Sequence, residues 1–126
     1  MPPEDKLKQT HTKITRPRTL VLDYLAKQQK PKTIQEIVRG LRRTGIDQAS
    51  IYRTIELLLK LEVIFEELIL GERKFYAADS PHHHAVCRRC RTIACLPCTT
   101  EIPAPKGFTQ VIHQVSITGL CQQCAH

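Results

Sequence analysis

Nothing in the 126-residue sequence approaches the ~20 consecutive apolar residues that a membrane-spanning helix requires. The opening Met1-Pro-Pro-Glu-Asp-Lys6 has no apolar h-region, so a secretory leader and a membrane partner are not expected and a cytoplasmic location is. Tryptophan is absent, cysteine is absent from the first 86 positions, and neither a catalytic triad nor a phosphate-binding glycine loop is visible. An enzyme is therefore not expected. The hydrophobic fraction of 41% excludes wholesale disorder, and the length suits one ordinary domain or two small modules.

What is present is positive charge. Lys and Arg number 19 against 12 Asp and Glu, a formal +7 with a pI near 9.3, which points to an anionic partner. The excess is local: residues 1–62 carry 13 basic and 7 acidic groups, residues 63–126 only 6 and 5. A basic half precedes a cysteine half.

In the basic half, Leu20, Val21, Tyr24 and Leu25 recur on one helical face behind Pro17, and Pro31 ends that segment. Thr33-Ile-Gln-Glu36 has the pattern of a capping box and opens a second helix with Ile34, Ile37, Val38 and Leu41 on one stripe, which Gly45 stops. Asp47 is a good N-cap for a third helix ending near Leu61, with Ile51, Ile55, Leu58 and Leu59 on its apolar side. Gln48, Ala49, Tyr52, Arg53, Glu56 and Lys60 lie opposite.

Two helices joined through Thr44-Gly45-Ile46 match a helix-turn-helix, whose second helix enters the major groove of double-stranded DNA by its first turns. Arg53 then reaches a guanine edge or a phosphate, Tyr52 a phosphate or a thymine methyl, and Ala49 permits close approach. The alternative is an ordinary three-helix bundle with a solvated polar face. Val63–Leu70 and Arg73–Ala77 are β-rich runs around Gly71-Glu72, a hairpin placed as a wing. There Arg73 and Lys74 either touch phosphate or keep an edge strand soluble.

The six cysteines form three C-x-x-C pairs, Cys87/Cys90, Cys95/Cys98 and Cys121/Cys124. In a reducing compartment this spacing reads as thiolate ligation of zinc, an iron–sulfur cluster being the less common use. Residues 79–82 read as a turn between modules, Arg91–Cys95 as a short strand, and Val111–Thr118 as an alternating strand with Val111, His113, Val115 and Ile117 on one face. Three pairs allow three four-thiolate sites. The outer pairs, with 30 residues between Cys90 and Cys121, are preferred: four residues between the first two pairs is cramped, and the last two would leave the first knuckle idle.

The order of parts, with Ala49-Ser-Ile-Tyr-Arg53 followed by His82-His-His-Ala-Val-Cys87-Arg-Arg-Cys90 and a later C-x-x-C, resembles the ferric uptake regulator family over roughly Lys13 to Cys124. The resemblance implies a winged-helix domain, a small α/β dimerisation domain, a homodimer and an A/T-rich palindromic operator. It implies that Tyr52 and Arg53 face DNA, that Arg18 helps hold the backbone, and that Cys87, Cys90, Cys121 and Cys124 bind structural zinc; Gln48, Ala49 and Ser50 at the start of the same helix are further candidate DNA contacts.

The sensing ligands that the resemblance implies are altered here. His82 and His84 match the family's H-x-H, and His113 matches a histidine of a further site. Pro31 and Lys32 stand where a histidine is expected, Tyr76 where a wing acid is, and Cys95 where a later acid is. Thiolate and imidazole favour zinc over iron or manganese. His82, His84 and Cys95 with Cys98 or His113 would make a sensor site for a second, regulatory metal. Alternatively Cys95 and Cys98 are a redox pair, or His82 to His84 form a polar turn, His113 is a hydrogen-bonded sheet residue, and the two cysteines are small buried hydrophobes.

Where the family places a helix across the dimerisation sheet, Glu101-Ile-Pro-Ala-Pro-Lys-Gly107 disfavours one. The expected molecule is thus α+β: a winged helix-turn-helix DNA-binding domain, 1–79, then a small α/β zinc-binding dimerisation domain, 80–126, with a reduced or missing helix. Its expected function is metal-dependent repression. Two rivals are a thiol redox-responsive DNA-binding regulator using Cys95 and Cys98, and a non-catalytic zinc-ribbon protein-interaction module.

Overall fold

The structure, a computed structural model, describes residues 2–96, 103–109, 111, 113 and 115–125. The chain divides into two units, Met1–Ser80 and Pro81–His126.

The first unit holds helices α1 (Pro3–Gln9), α2 (Arg16–Lys27), α3 (Ile34–Gly40) and α4 (Gln48–Lys60), then strands β1 (Ile64–Ile69) and β2 (Glu72–Ala77). Pro17 sits in the first turn of α2, where a missing N–H costs nothing, and Val21, Leu22 and Leu25 turn inward. The capping box of α3 is complete: the Glu36 N–H donates to Thr33 Oγ1 and the Thr33 N–H to Glu36 Oε1, each at 3.1 Å. The expected second helix is in fact two pieces. The α-helix ends at Gly40 and a 3-10 turn follows over Arg42–Thr44, closed by left-handed Gly45 at φ 77°.

Gly40 has a packing reason as well. A Cβ there would lie 2.3 Å from Cε2 of Tyr24, so the absent side chain lets α2 and α3 close on each other. Asp47 caps α4 by accepting the Ser50 N–H at 3.1 Å and the Ser50 hydroxyl at 2.6 Å. Ile51, Ile55 and Leu58 of α4 then enter one core with Leu22, Ile37, Val63 and Phe75. Leu7 of α1 joins that core at 1% exposure. The periodicity of the sequence did not reveal α1, because Leu7 is its lone core residue; its other marks are Pro at the start, acids in the first turn and lysines in the last.

β1 and β2 pair antiparallel from Ile64↔Ala77 to Ile69↔Glu72 around Leu70 (φ 51°) and Gly71 (φ 83°), two successive left-handed residues of the kind a tight hairpin turn needs. Lys32 adds a bridge to Phe75, with Phe75 N–H to Lys32 O at 2.7 Å and Lys32 N–H to Phe75 O at 2.9 Å. Helices, turn and hairpin together make a winged helix.

The second unit holds β3 (His83–Cys87), β4 (Ile93–Leu96) and β5 (Ile117–Gly119) in the order β4-β3-β5. β3 pairs antiparallel with β4 and parallel with β5. Here the sequence-based expectations need correction. The histidine run is the central strand and not a polar turn. Among the described residues, the alternating run yields a strand at Ile117–Gly119, where Ile117 lies opposite Ala85 of β3. Residues 103–109 form coil with a turn at Gly107 (φ 87°), and no helix occurs among the described residues of this unit.

Candidate functional site

The basic face of the first unit is built at the start of α4. Gln48, Ala49, Tyr52 and Arg53 are exposed there, while Ser50 is half-buried and orders the turn by its bond to Asp47. Arg53 Nη2 donates to Ser50 Oγ at 3.3 Å. Arg18, at the start of α2, donates to the Lys13 carbonyl at 2.5 Å, which fixes the segment ahead of that helix. Arg18 and Arg53 line one cleft of about 370 Å³ together with Thr15, Pro17, Ser50, Thr54 and Leu57. Two guanidinium groups thus share one cleft beside a helix N-terminus, an arrangement whose charge suits an anion.

On the wing, Arg73 is exposed yet engaged by the protein itself, with bonds of 2.8 and 2.7 Å to Glu66 of β1 and a 3.6 Å ion pair to Glu56 of α4. Pro31, Lys32 and Tyr76, which stand where ligands were sought by resemblance, also have structural work. Pro31 is buried, Lys32 pairs with Phe75, and the buried Tyr76 ring lies 5.8 Å from that of Phe65.

In the second unit the sulfurs of Cys87, Cys90, Cys121 and Cys124 all lie within 4.8 Å of one another. Parallel pairing is the cause: Cys87 ends β3 directly beside Gly119 of β5, and both chains then turn into their knuckles on the same side. Cys90 Sγ and Cys121 Sγ are 3.7 Å apart, against the ~3.8 Å edge of a tetrahedron with ~2.3 Å zinc–sulfur bonds. The N–H groups of Cys90 and Cys121 point at Cys87 Sγ at 3.5 and 3.4 Å. They hold that thiol down to about 5. The Thr92 hydroxyl, 3.0 Å from Cys90 Sγ, lowers that thiol too. Cys124 moves the other way, pushed up to about 12 by the neighbouring sulfur of Cys121, with burial and the other two sulfurs adding to it. One acidic and one reluctant thiol in a single cluster is a charge conflict that a divalent cation resolves.

Thr92 and Arg89 escaped the sequence reading. Arg89 Nη1 donates to the Cys124 carbonyl at 3.1 Å and so ties one knuckle to the other. A basic residue between two cysteines was the available signal, but its partner is 35 positions away.

A second cluster forms on the sheet from strand periodicity. His82 and His84 are two apart and share a face, and antiparallel pairing sets Cys95 opposite His84. Ligand atoms of His82, His84 and Cys95 lie within 4.8 Å of one another. Cys95 Sγ is 3.5 Å from His82 Nε2, close to the ~3.6 Å that tetrahedral zinc–nitrogen and zinc–sulfur bonds imply. His84 is buried at 3%, whereas Cys95 is exposed and so is no buried hydrophobe. His113 comes to His83 on the other face, Nε2 to Nε2 at 3.1 Å. Cys98 lies outside the described residues.

The model of the ferric uptake regulator family matches residues 9–117. The chain belongs to that family. Its members are metal-responsive, DNA-binding transcription regulators that act as homodimers, not enzymes. The chain is 27% identical over 131 residues to the peroxide operon regulator of Bacillus subtilis, covering 96% of this chain and 90% of the relative. In fold it is similar to a zinc-bound manganese uptake regulator, with TM-score 0.68, 16% identity, and 96% and 99% of the two chains covered. It is similar also to the Helicobacter pylori ferric uptake regulator, a structure described as having three functional metal-binding sites, with TM-score 0.66, 19% identity, and 98% and 89% covered. No helix among the described residues is long and apolar enough to cross a membrane.

Proposed function

We propose that this family member is a homodimeric repressor with a structural zinc at Cys87, Cys90, Cys121 and Cys124 and a regulatory site, leaning toward zinc, at His82, His84 and Cys95. Residues 1–79 serve as the DNA-binding domain and 80–126 as the dimerisation domain. The observation that carries the reading is the approach of Cys95 Sγ to His82 Nε2 at 3.5 Å beside the buried His84. Two imidazoles and a thiol suit a borderline ion better than the harder Fe2+ or Mn2+, for which carboxylates are the better partners. A bound ion supplies positive charge that holds the three donors together; the protein supplies the sheet register that brings them close.

The consequence for DNA follows from chain order. His82 is two residues beyond Ser80, the last residue of the first unit, so a bound ion would order the chain directly after the DNA-binding domain. In a homodimer, two recognition helices would then meet successive major grooves of an A/T-rich palindrome. Arg18 and Arg53 hold phosphate, and Gln48, Ala49 and Tyr52 face the groove.

Zinc titration of reduced protein, read by a competing chromophoric chelator and by anisotropy of a labelled palindromic duplex, tests this. Two zinc ions per chain, with the second raising DNA affinity and with Fe2+ and Mn2+ binding more weakly there, is the expected result. One ion per chain, with DNA affinity insensitive to further zinc, would overturn the sensor assignment.

A further inference from the structure

We propose that Cys95 is an oxidation site, a peroxide-reactive thiol whose conversion to sulfenic acid removes one of the three donors of the His82, His84 and Cys95 cluster and so lowers that cluster's affinity for zinc. The inference rests on the reading of the cluster as the regulatory site and adds a second input to it.

Three observations carry it. First, Cys95 is accessible: β4 is an edge strand of the sheet, and Ala94, Cys95 and Leu96 are all exposed. Second, Cys95 is the described cysteine that stands outside the four-sulfur cluster. Of the others, Cys87 is buried under two N–H groups, Cys121 and Cys124 are half-buried, and Cys90, though exposed, has its sulfur against Thr92 and Cys121. Four thiolates around one ion make a closed site, whereas three donors leave an open side. Third, sulfur is the donor of the cluster that a two-electron oxidant converts directly, and it lies within 3.5 Å of a histidine it would share an ion with.

The chemistry balances. The Cys95 sulfur attacks one oxygen of hydrogen peroxide, the sulfur–oxygen bond forms as the oxygen–oxygen bond breaks, and sulfur gives up two electrons. The departing oxygen leaves as water with the thiol proton, and the product is the sulfenic acid. A thiol reductant reverses the change through a mixed disulfide. Zinc and peroxide then compete for one atom: the sulfur engaged with an ion is shielded, and the oxidised sulfur no longer serves as a thiolate donor.

The test uses the full chain carrying one zinc equivalent, treated with hydrogen peroxide in the presence of dimedone and mapped by peptide mass spectrometry, with second-site zinc affinity measured before and after. The expected result is oxidation at Cys95 ahead of the other cysteines, as a dimedone adduct or a disulfide to Cys98, suppressed by a second zinc equivalent. Oxidised protein should bind that second zinc at least tenfold more weakly. Cys95→Asp, which keeps a donor but no sulfur, should bind the second zinc with an affinity that peroxide leaves unchanged. Modification falling first on Cys87, Cys90, Cys121 or Cys124 overturns the proposal, as does second-site affinity unchanged by oxidation of Cys95; the latter leaves the sensor reading standing. If reduced protein takes up one zinc only while Cys95 is labelled, the sensor reading fails and the oxidation site stands.

Discussion

Arg73 of β2 grips the carboxylate of Glu66 on β1 through two parallel bonds, Nε to Oε1 at 2.8 Å and Nη2 to Oε2 at 2.7 Å. The same guanidinium reaches Glu56 of the recognition helix at 3.6 Å, so one side chain joins both strands of the wing to α4. It braces the wing against α4. Its side chain is 47% exposed, so solvent screens much of the attraction. Arg73→Gln is expected to cost about 0.5–1 kcal/mol of unfolding free energy in urea titrations. The salt slope of DNA binding should stay the same, since no phosphate charge is lost. A slope lowered by about one would assign Arg73 to phosphate after all.

Arg53 is the opposite case. It is exposed near the start of α4, the face proposed to meet DNA, and its bond of 3.3 Å to Ser50 Oγ leaves most of its donors available. Arg53→Ala should weaken duplex binding by about 1–3 kcal/mol, roughly a fivefold to 150-fold loss, with the thermal midpoint little changed. Unchanged affinity at fixed salt would rule out this docking of the helix.

The four-cysteine cluster predicts an all-or-none loss. With Cys121→Ser, the cluster loses one sulfur and the partner that lies 3.7 Å from Cys90. One zinc equivalent should disappear from the purified protein, and backbone amides of β3 and β5 should exchange rapidly with solvent. Amides of α2 and α4, held by their own apolar core, should keep their protection. Slow exchange of β5 without zinc would show that the sheet stands unaided.

The capping box of α3 gives a pH dependence. Burial opposes ionisation of Glu36, but the Thr33 bonds, with Lys32 and Lys74 nearby, outweigh it and hold the carboxyl below its usual range. A lowered folded-state value means that the stabilisation is fully present above the ordinary glutamate pKa of about 4.3 and is lost as pH falls through the lower value. Glu36→Gln should therefore cost about 0.5 kcal/mol near neutrality, a modest figure because the group is partly exposed. In chemical denaturation at stepped pH, the gap between variant and parent should close below that range. A gap that persisted in acid would trace the loss to geometry and not to charge.

How much of this was legible in the sequence follows from which signals are local. Thr33, Glu36, Asp47 and Gly45 announce helix ends through contacts within three residues, and their caps are present as expected. C-x-x-C spacing likewise brought out the four-sulfur cluster. The strand at His83–Cys87 was harder, because its two histidines carry no strong strand preference and the segment is fixed by pairing on both sides. The cluster of His82, His84 and Cys95 needed a register as well as a list of ligand types, and only His84↔Cys95 pairing supplies it. His113 meets His83, a partner 30 positions away that no spacing rule could choose. Arg73 was missed as a brace because its partners, Glu66 and Glu56, sit on two other elements.

The parallel pairing of β3 with β5 has a consequence for how the protein is made. Residues up to about 80 contain a complete hydrophobic core and can fold as the chain leaves the ribosome. The sheet of the second unit has no such option, since β3 must wait for Ile117–Gly119 before its inner edge is covered, and Cys87 must wait for Cys121 and Cys124. During that interval of synthesis the first unit exists without the second. If the four cysteines hold zinc as proposed, the supply of that ion to the nascent chain would help to decide how soon the second unit is complete.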